Sequence, residues 1–117
     1  MPENNPHLSV VVPLYNEEGN VKELHKRIFD ALQKIGQPFE IIFVDDGSRD
    51  KTLQEALTLS SLKLIVFRKN FGQTAAFDAG IKAARGEIII TLDGDLQNDP
   101  EDIVLLLEKI NAGYDIV

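Results

Sequence analysis

Two aspartates stand two residues apart, directly after a run of apolar, mostly β-branched residues. The run covers 88–92, and Asp93 and Asp95 follow it with only Gly94 between them. Side chains two positions apart on an extended chain point to the same side, so both carboxylates can face one ligand. Hard carboxylate oxygens suit Mg²⁺ or Mn²⁺, and magnesium usually binds through one or two carboxylates while substrate phosphates complete its shell. The spacing therefore predicts a divalent metal held against a phosphorylated substrate, with Gly94 leaving room for it.

Strand-like and helix-like segments alternate along the chain and would position these carboxylates. The predicted strands are short and rich in Val, Ile and Leu, and they cover 8–14, 39–44, 62–67 and 87–92. Apolar residues at three- and four-residue steps predict helices over 21–35, 52–60 and 73–85. Asp99 and Pro100 predict the start of a fourth helix, and 114–117 resembles the start of a fifth strand. This alternation predicts an α/β fold, a Rossmann-like, mostly parallel sheet with helices on both faces.

Polar residues follow the ends of all four predicted strands. Ligands of such sheets bind in the crevice beyond the carboxyl ends of the strands. The clusters found there are YNEE at 15–18, DDGS at 45–48, RKN at 68–70 and DGD at 93–95. For any one cluster, turn formation or helix capping explains the acidic residues about equally well, but their coincidence at one edge favours a binding site. By alternation only one of Asp45 and Asp46 can face the ligand, and we expect the other to fix the loop.

Composition excludes several classes of function. The 117 residues carry a formal net charge of −7, and the basic residues are scattered, so nucleic acid is not an expected partner. The absence of cysteine excludes disulfides and thiolate metal sites and is compatible with a reducing compartment. No apolar run approaches the roughly 20 residues that cross a bilayer. We therefore expect a soluble, cytoplasmic domain without an internal boundary.

Four motifs, taken in order, resemble the signature of family 2 glycosyltransferases. They are VVPLYNEE at 11–18, VDDGS at 44–48, NFG at 70–72 with AG at 79–80, and DGDLQ at 93–97. Within that family they are most similar to the polyprenyl-phosphate branch, which includes dolichyl-phosphate mannose synthases and bacterial undecaprenyl-phosphate sugar transferases. Each motif is weak alone, but together they span nearly the whole chain.

This resemblance implies the roles of individual residues. It implies a GT-A fold in which residues 1–117 are the nucleotide-sugar-binding part of a longer domain. Asp93 and Asp95 are implied as the catalytic carboxylates, and Gln97 joins them as a ligand of Mg²⁺ or Mn²⁺. The implied nucleotide-sugar contacts are Pro13, Tyr15, Glu17, Val44, Asp46, Asp93, Gly94 and Asp95, with the Tyr15 ring packed on the base and Asp46 hydrogen-bonded to it.

The implied reaction is metal-dependent, inverting transfer of a hexose from a UDP- or GDP-linked sugar to a polyprenyl phosphate. The sequence contains no obvious general base, and a lipid phosphate needs none because its oxygen is already anionic near neutral pH. A divalent cation would neutralise the diphosphate leaving group. The acceptor contacts, at the cytoplasmic face of a membrane, are implied to come from sequence beyond residue 117, and a homo-oligomer is left open.

Other functional classes are weighed against this resemblance. A haloacid dehalogenase-like phosphatase also uses two aspartates two residues apart, but after its first strand and with Thr or Val following; here Leu96-Gln97 follow the fourth. A response-regulator receiver has its paired acids after strand one, and a Rossmann dehydrogenase needs a G-x-G-x-x-G motif there, which is absent. A nucleotide-sugar-binding domain without turnover stays open. Only the transferase interpretation predicts activity in a longer form that carries the C-terminal half.

Overall fold

The computed structural model describes residues 6–93, in which four strands alternate with three helices. The strands are β1 (Leu8–Leu14), β2 (Phe39–Asp45), β3 (Lys63–Val66) and β4 (Ile88–Thr91), and the helices are α1 (Val21–Ile35), α2 (Thr52–Leu57) and α3 (Gln73–Ala83). Every pair of neighbouring strands is parallel. The predicted α/β fold with a parallel sheet is confirmed, whereas the predicted fourth helix and fifth strand lie outside the described residues.

The order of the strands in the sheet is β3-β2-β1-β4. The chain moves outward from β1 through β2 to β3 and then returns to place β4 on the other side of β1. The strand order therefore reverses between β1 and β4, and ligands of open α/β sheets bind at such a switch point, beyond the carboxyl ends of the strands. The loop after β1 and the residues after β4 meet there.

Helices cover both faces of the sheet, as predicted. On one face, alternate residues of β1 and β2 pack with the buried stripe of α1 and with Ala56 of α2. On the other face, Val11, Ile42 and Val44 pack with Ala76 of α3. Helix α1 ends at Gly36, whose φ of 75° is left-handed, as expected for a glycine after the last helical turn.

Helix α3 lies close to the sheet because the residues on its inner face are small. Ala76 and Gly80 are buried, while Ala79 and Ala83 are partly buried. A Cβ atom at Gly80 would stand 2.2 Å from Cγ1 of Val11, far inside van der Waals contact. This small inner face brings the amino end of α3 close to the carboxyl ends of the strands.

Two helices end earlier than the apolar spacing predicts. A local hydrogen bond ends α2, and a contact with a distant residue ends α3. Helix α2 ends at Leu57 rather than Ser60, because the Thr58 hydroxyl and backbone N–H both donate to the Glu55 carbonyl and close the turn. Helix α3 ends at Ala83 because the Arg85 N–H donates to the Glu40 carboxylate at 2.7 Å instead of continuing the helix. Among the described residues, no helix combines the length and the apolarity needed to span a bilayer.

Candidate functional site at the carboxyl ends of the strands

A cavity of about 360 Å³ opens at the carboxyl edge of the sheet. Its lining comes from the ends of β1, β2 and β4 and from the start of α3, and consists of Pro13, Leu14, Tyr15, Glu17, Asp46, Asn70, Gly72, Gln73 and Asp93. Small-molecule sites commonly have volumes of about 300–1,000 Å³. The structure thus brings five of the predicted contact residues to one cavity: Pro13, Tyr15, Glu17, Asp46 and Asp93.

The other predicted site residues lie elsewhere or outside the described range. Val44 is fully buried in the core on the α3 side and is not among the lining residues. Gly94, Asp95 and Gln97 lie outside residues 6–93, so their roles stay predictions.

A larger cavity, of about 660 Å³, opens at the opposite edge of the sheet. It contains none of the residues that the sequence predicts for the site. Its acidic group, Glu40, already accepts from Lys63 at 3.1 Å and from the Arg85 N–H. Because these groups satisfy one another, the smaller cavity with its convergent carboxylates is the better candidate for chemistry.

Asp46 holds one wall of the smaller cavity in place. Its carboxylate is almost fully buried, with 3% of the residue exposed. It accepts hydrogen bonds from the Phe71 N–H at 2.8 Å, the Gly72 N–H at 3.0 Å and Asn70 Nδ2 at 2.9 Å. Asp46 therefore lines the cavity and also fixes the loop 70–72 that leads into α3.

The two neighbouring aspartates do not divide these tasks as the sequence suggested. Asp46 both lines the cavity and fixes the loop. Asp45 pairs with Leu14 in the sheet and is buried, with 2% of the residue exposed. Its Oδ1 has no hydrogen-bond partner among the described residues. The expectation of one loop-fixing and one ligand-facing aspartate was therefore wrong, because backbone N–H groups of loop 70–72 come within reach of the residue that also lines the cavity.

Gly47 allows two loops at this edge to touch backbone to backbone. It has a φ of 69°, and a Cβ atom there would stand 2.2 Å from the carbonyl carbon of Lys69 and 2.4 Å from the nitrogen of Asn70. Any side chain would force the β2–α2 loop away from the β3–α3 loop. Glycine at this position thus keeps Asp46 within reach of the N–H groups that it binds.

The loop after β1 is held by side chains from the segment 48–55. The N–H groups of Asn16, Glu17, Glu18 and Gly19 donate, in that order, to side chains of Ser48, Thr52, Asp50 and Glu55. Burial raises the pKa of Asp50, but hydrogen bonds from Thr52 and from the Glu18 N–H outweigh it and hold that pKa below its usual value. These hydrogen bonds hold the loop, which presents Tyr15, 42% exposed, at the rim of the cavity.

Asp93 enters the cavity from the end of β4 and meets Gln73. The Leu92 N–H donates to the Val11 carbonyl at 3.0 Å, which extends the pairing of β4 with β1 to the residue before Asp93. Gln73 Nε2 donates to Asp93 Oδ1 at 2.7 Å. Gln73 stands at the first position of α3, directly after the NFG motif, and was not among the predicted site residues.

The basic residues after β3 lie outside the cavity. Arg68 and Lys69 are exposed and do not belong to its lining. Lys69 Nζ lies 5.2 Å from the ring centroid of Phe71, which is itself 58% exposed. The structure thus places this part of the RKN motif on the outer surface of the loop that Asp46 anchors.

The part of the predicted metal site that the structure describes is compatible with a divalent cation. Within residues 6–93, no group of three or more His, Asp or Glu side chains is arranged to hold a metal. Asp93 alone of the predicted ligands falls in this range, and its exposed carboxylate lines the cavity. A hard oxygen donor that faces a cavity suits Mg²⁺ or Mn²⁺ when substrate phosphate completes the shell.

Comparison with known proteins connects this geometry to one family. The model of the family described as "Glycosyl transferase family 2" matches residues 9–117. An undecaprenyl-phosphate 4-deoxy-4-formamido-L-arabinose transferase of Pseudomonas aeruginosa is 46% identical over 115 residues, which are 94% of this chain and 34% of that relative. The chain thus spans about a third of the length of this curated relative.

Solved structures show the same fold. A mannosyltransferase from Pyrobaculum calidifontis in complex with GDP-Man and Mn²⁺ superposes with a TM-score of 0.69 at 27% identity, over 88% of this chain and 31% of that one. TarS of S. aureus (residues 1–349) in complex with UDP superposes with a TM-score of 0.68 at 28% identity, over 90% of this chain and 32% of that one. The described sheet is therefore the GT-A type of α/β fold.

Proposed function

Because the chain belongs to glycosyl transferase family 2, we propose that it is the nucleotide-sugar-binding part of a transferase that moves a sugar onto a polyprenyl phosphate. In this proposal a hexose leaves a UDP- or GDP-linked donor with inversion at its anomeric carbon. The relative from P. aeruginosa is named for an arabinose derivative and for undecaprenyl phosphate. Donors that carry a hexose and donors that carry an arabinose derivative therefore both belong in the test. The proposed place of action is the cytoplasmic face of a membrane.

The observation that carries the proposal is the convergence of Tyr15, Asp46 and Asp93 on one cavity at the switch point of the sheet. An exposed aromatic ring at the rim offers a surface on which a base can stack. Asp93, at the end of β4, offers hard oxygens for the metal and diphosphate side of a nucleotide sugar. These groups come from three strand ends, so a ligand that contacts all of them must reach across the crevice.

Asp46 acts on the nucleotide mainly through its neighbours in this proposal. An ionised carboxylate has about four acceptor positions, and Asp46 already uses three of them for loop 70–72. The remaining capacity permits one hydrogen bond to a base. The larger contribution of Asp46 is a rigid wall beside that base, with Asn70 and Gly72 held at fixed positions.

The metal completes the proposed donor site. Asp93, Asp95 and Gln97 would hold Mg²⁺ or Mn²⁺. When bound, the cation neutralises charge that develops on the diphosphate leaving group. The acceptor phosphate is already anionic near neutral pH, so the protein has to orient it rather than deprotonate it.

A thermal-shift screen of UDP-, GDP- and CDP-linked sugars, with and without Mn²⁺, tests the donor site. We expect one nucleotide to raise the melting temperature more than the others, and more with Mn²⁺ than without it, because selective binding stabilises the folded state. Equal shifts for all three nucleotides, or no shift at all, would argue against a donor site.

A transfer assay separates an enzyme from a binding domain without turnover. The longer form that carries the C-terminal sequence is given the selected donor and a polyprenyl phosphate. We expect a glycosylated lipid, and its absence alongside intact nucleotide binding would favour the binding domain. A haloacid dehalogenase-like phosphatase is disfavoured because Asp93 follows β4 rather than the first strand.

A further inference from the structure

We propose that Gln73 is a positioning residue for the donor site, one that orients the Asp93 carboxylate toward the cavity through its side-chain amide. The inference rests on the proposed function, since it concerns the same metal and diphosphate side of the cavity. It assigns a role to a residue that lies 20 positions before Asp93 in the chain and belongs to a different element.

The contact itself is short and lies inside the site. Gln73 Nε2 donates to Asp93 Oδ1 at 2.7 Å, and both residues line the cavity. Hydrogen bonds to charged acceptors are shorter and stronger than those between neutral groups. A donor–acceptor distance of 2.7 Å is that of a well-formed hydrogen bond.

The backbone of Gln73 is fixed, so its amide can impose a direction. Gln73 opens α3, and the residue before it, Gly72, donates its N–H to Asp46 Oδ2 at 3.0 Å. Gly72 also accepts the first hydrogen bond of the helix, from the Ala76 N–H at 3.1 Å. The start of α3 is therefore anchored to the end of β2, next to the cavity.

One strand supports both partners of this contact. Val11 of β1 touches α3, since a Cβ atom at Gly80 would stand only 2.2 Å from its Cγ1. The carbonyl of the same residue accepts the Leu92 N–H beside Asp93. Because both partners rest on β1, the amide and the carboxylate keep their relative positions.

A neutral amide suits this role better than a cation would. It donates a hydrogen bond to one carboxylate oxygen and leaves the negative charge in place for a metal. A Lys or Arg in the same place would compensate that charge. Groups that orient metal ligands through hydrogen bonds typically change metal affinity by about 10–100-fold when they are removed.

The test uses Gln73→Met, which keeps the length of the side chain and removes the donor. The matched control is Gln54→Met, at an exposed position of α2 that is not part of the cavity. Free Mn²⁺ is measured by electron paramagnetic resonance during titration in the presence of the nucleotide selected by the screen. Nucleotide affinity and melting temperature are also measured without metal.

We expect Gln73→Met to weaken Mn²⁺ binding by about 10-fold or more while the metal-free melting temperature stays near that of the wild type. Gln54→Met should leave Mn²⁺ binding, melting temperature and nucleotide affinity unchanged. Equal Mn²⁺ affinity in Gln73→Met and wild type would overturn the inference and leave the proposed function standing. A wild type without Mn²⁺-dependent binding would instead overturn the proposed function.

A second measurement tests the contact in the protein without metal and without any change at Gln73. The side-chain amide resonances of Gln73 are compared by NMR between the wild type and Asp93→Asn. Loss of the charged acceptor should shift them, whereas the resonances of Gln54 should not move. Unchanged Gln73 resonances would show that the amide does not hold Asp93.

Discussion

At the carboxyl end of β2, the carboxylate of Asp46 connects strand, loop and cavity. It accepts bonds from Asn70 and from the Phe71 and Gly72 N–H groups, and it forms part of the cavity lining. Two of these donors are backbone groups that would lose a charged acceptor if the carboxylate were removed. Leaving a buried donor unpaired costs more than the net value of the bond.

We expect Asp46→Asn to destabilise the protein by about 1–3 kcal/mol, because the amide group can replace only one of the two acceptor oxygens. The free energy of unfolding in urea measures this change. Asp78→Asn is the matched control, since Asp78 is exposed on α3 and pairs with Lys82 four residues on, a kind of pair worth about 0.3–0.5 kcal/mol. Equal losses in the two variants would contradict the loop-fixing role of Asp46.

Substitutions at Gly47 and Gly19 distinguish the cost of a left-handed backbone from the cost of steric overlap. Both have positive φ, but a Cβ atom at Gly47 would overlap the backbone of Lys69 and Asn70, whereas no atom of residues 6–93 lies within 4 Å of one at Gly19. We expect Gly19→Ala to cost about 1–2 kcal/mol from the left-handed conformation alone and Gly47→Ala to cost clearly more. Urea unfolding of both variants measures the difference. Similar losses would mean that the two loops do not need this close approach.

At the scale of elements, Glu40 ties together the amino-terminal side of the sheet. This residue of β2 accepts from the Ser9 hydroxyl of β1 at 2.5 Å, from the Arg85 N–H before β4 at 2.7 Å and from Lys63 of β3 at 3.1 Å. Burial raises the pKa of Glu40, but the hydrogen bonds and the Lys63 charge outweigh it, so the pKa lies below its usual value. One carboxylate thus links β1, β3 and the connection to β4.

Glu40 should make the stability of the fold depend on pH. Its folded-state pKa lies below that of the unfolded chain, about 4.3, so its contribution is complete above that value and is lost as pH falls through the folded-state pKa. We expect Glu40→Gln to cost about 1–3 kcal/mol at pH 7 and progressively less below about pH 4. Urea unfolding across this range measures it, with Glu23→Gln as the control because Glu23 pairs with Arg27 on the exposed face of α1.

Local sequence patterns predicted the bounds of some elements correctly, but they missed features that depend on contacts between residues far apart in the chain. Strand β1 was predicted at 8–14 as observed, because it is apolar on both faces. Helix α1 was also predicted as observed, since its buried stripe is continuous and Gly36 ends it. The end of α3 was predicted too late because Glu40, 45 residues away, takes the Arg85 N–H. Gln73 was missed for the same reason, since its role depends on a contact that no local spacing encodes.

At the scale of the whole molecule, the strand order explains why separate motifs act together. The sheet order β3-β2-β1-β4 brings residues 13–15, 17, 46, 70, 72, 73 and 93 to one cavity, although several of them are far apart in the chain. The sequence predicted this convergence from the rule that parallel strands present their carboxyl ends at one edge. It could not predict the division of roles within the site, because that division depends on bonds between distant segments, such as those from the N–H groups of residues 16–19 to side chains of residues 48–55.

Isothermal titration calorimetry of the selected nucleotide sugar, with and without Mn²⁺, tests the central claim most directly. The titrations are made with the wild type and with the Asp95→Asn variant, because Asp95 is predicted to ligate the metal that holds the diphosphate. We expect Mn²⁺ to raise the nucleotide-sugar affinity of the wild type and to have little effect on that of Asp95→Asn. A wild-type affinity that is the same with and without Mn²⁺ would contradict a metal-dependent sugar-nucleotide site at this edge of the sheet.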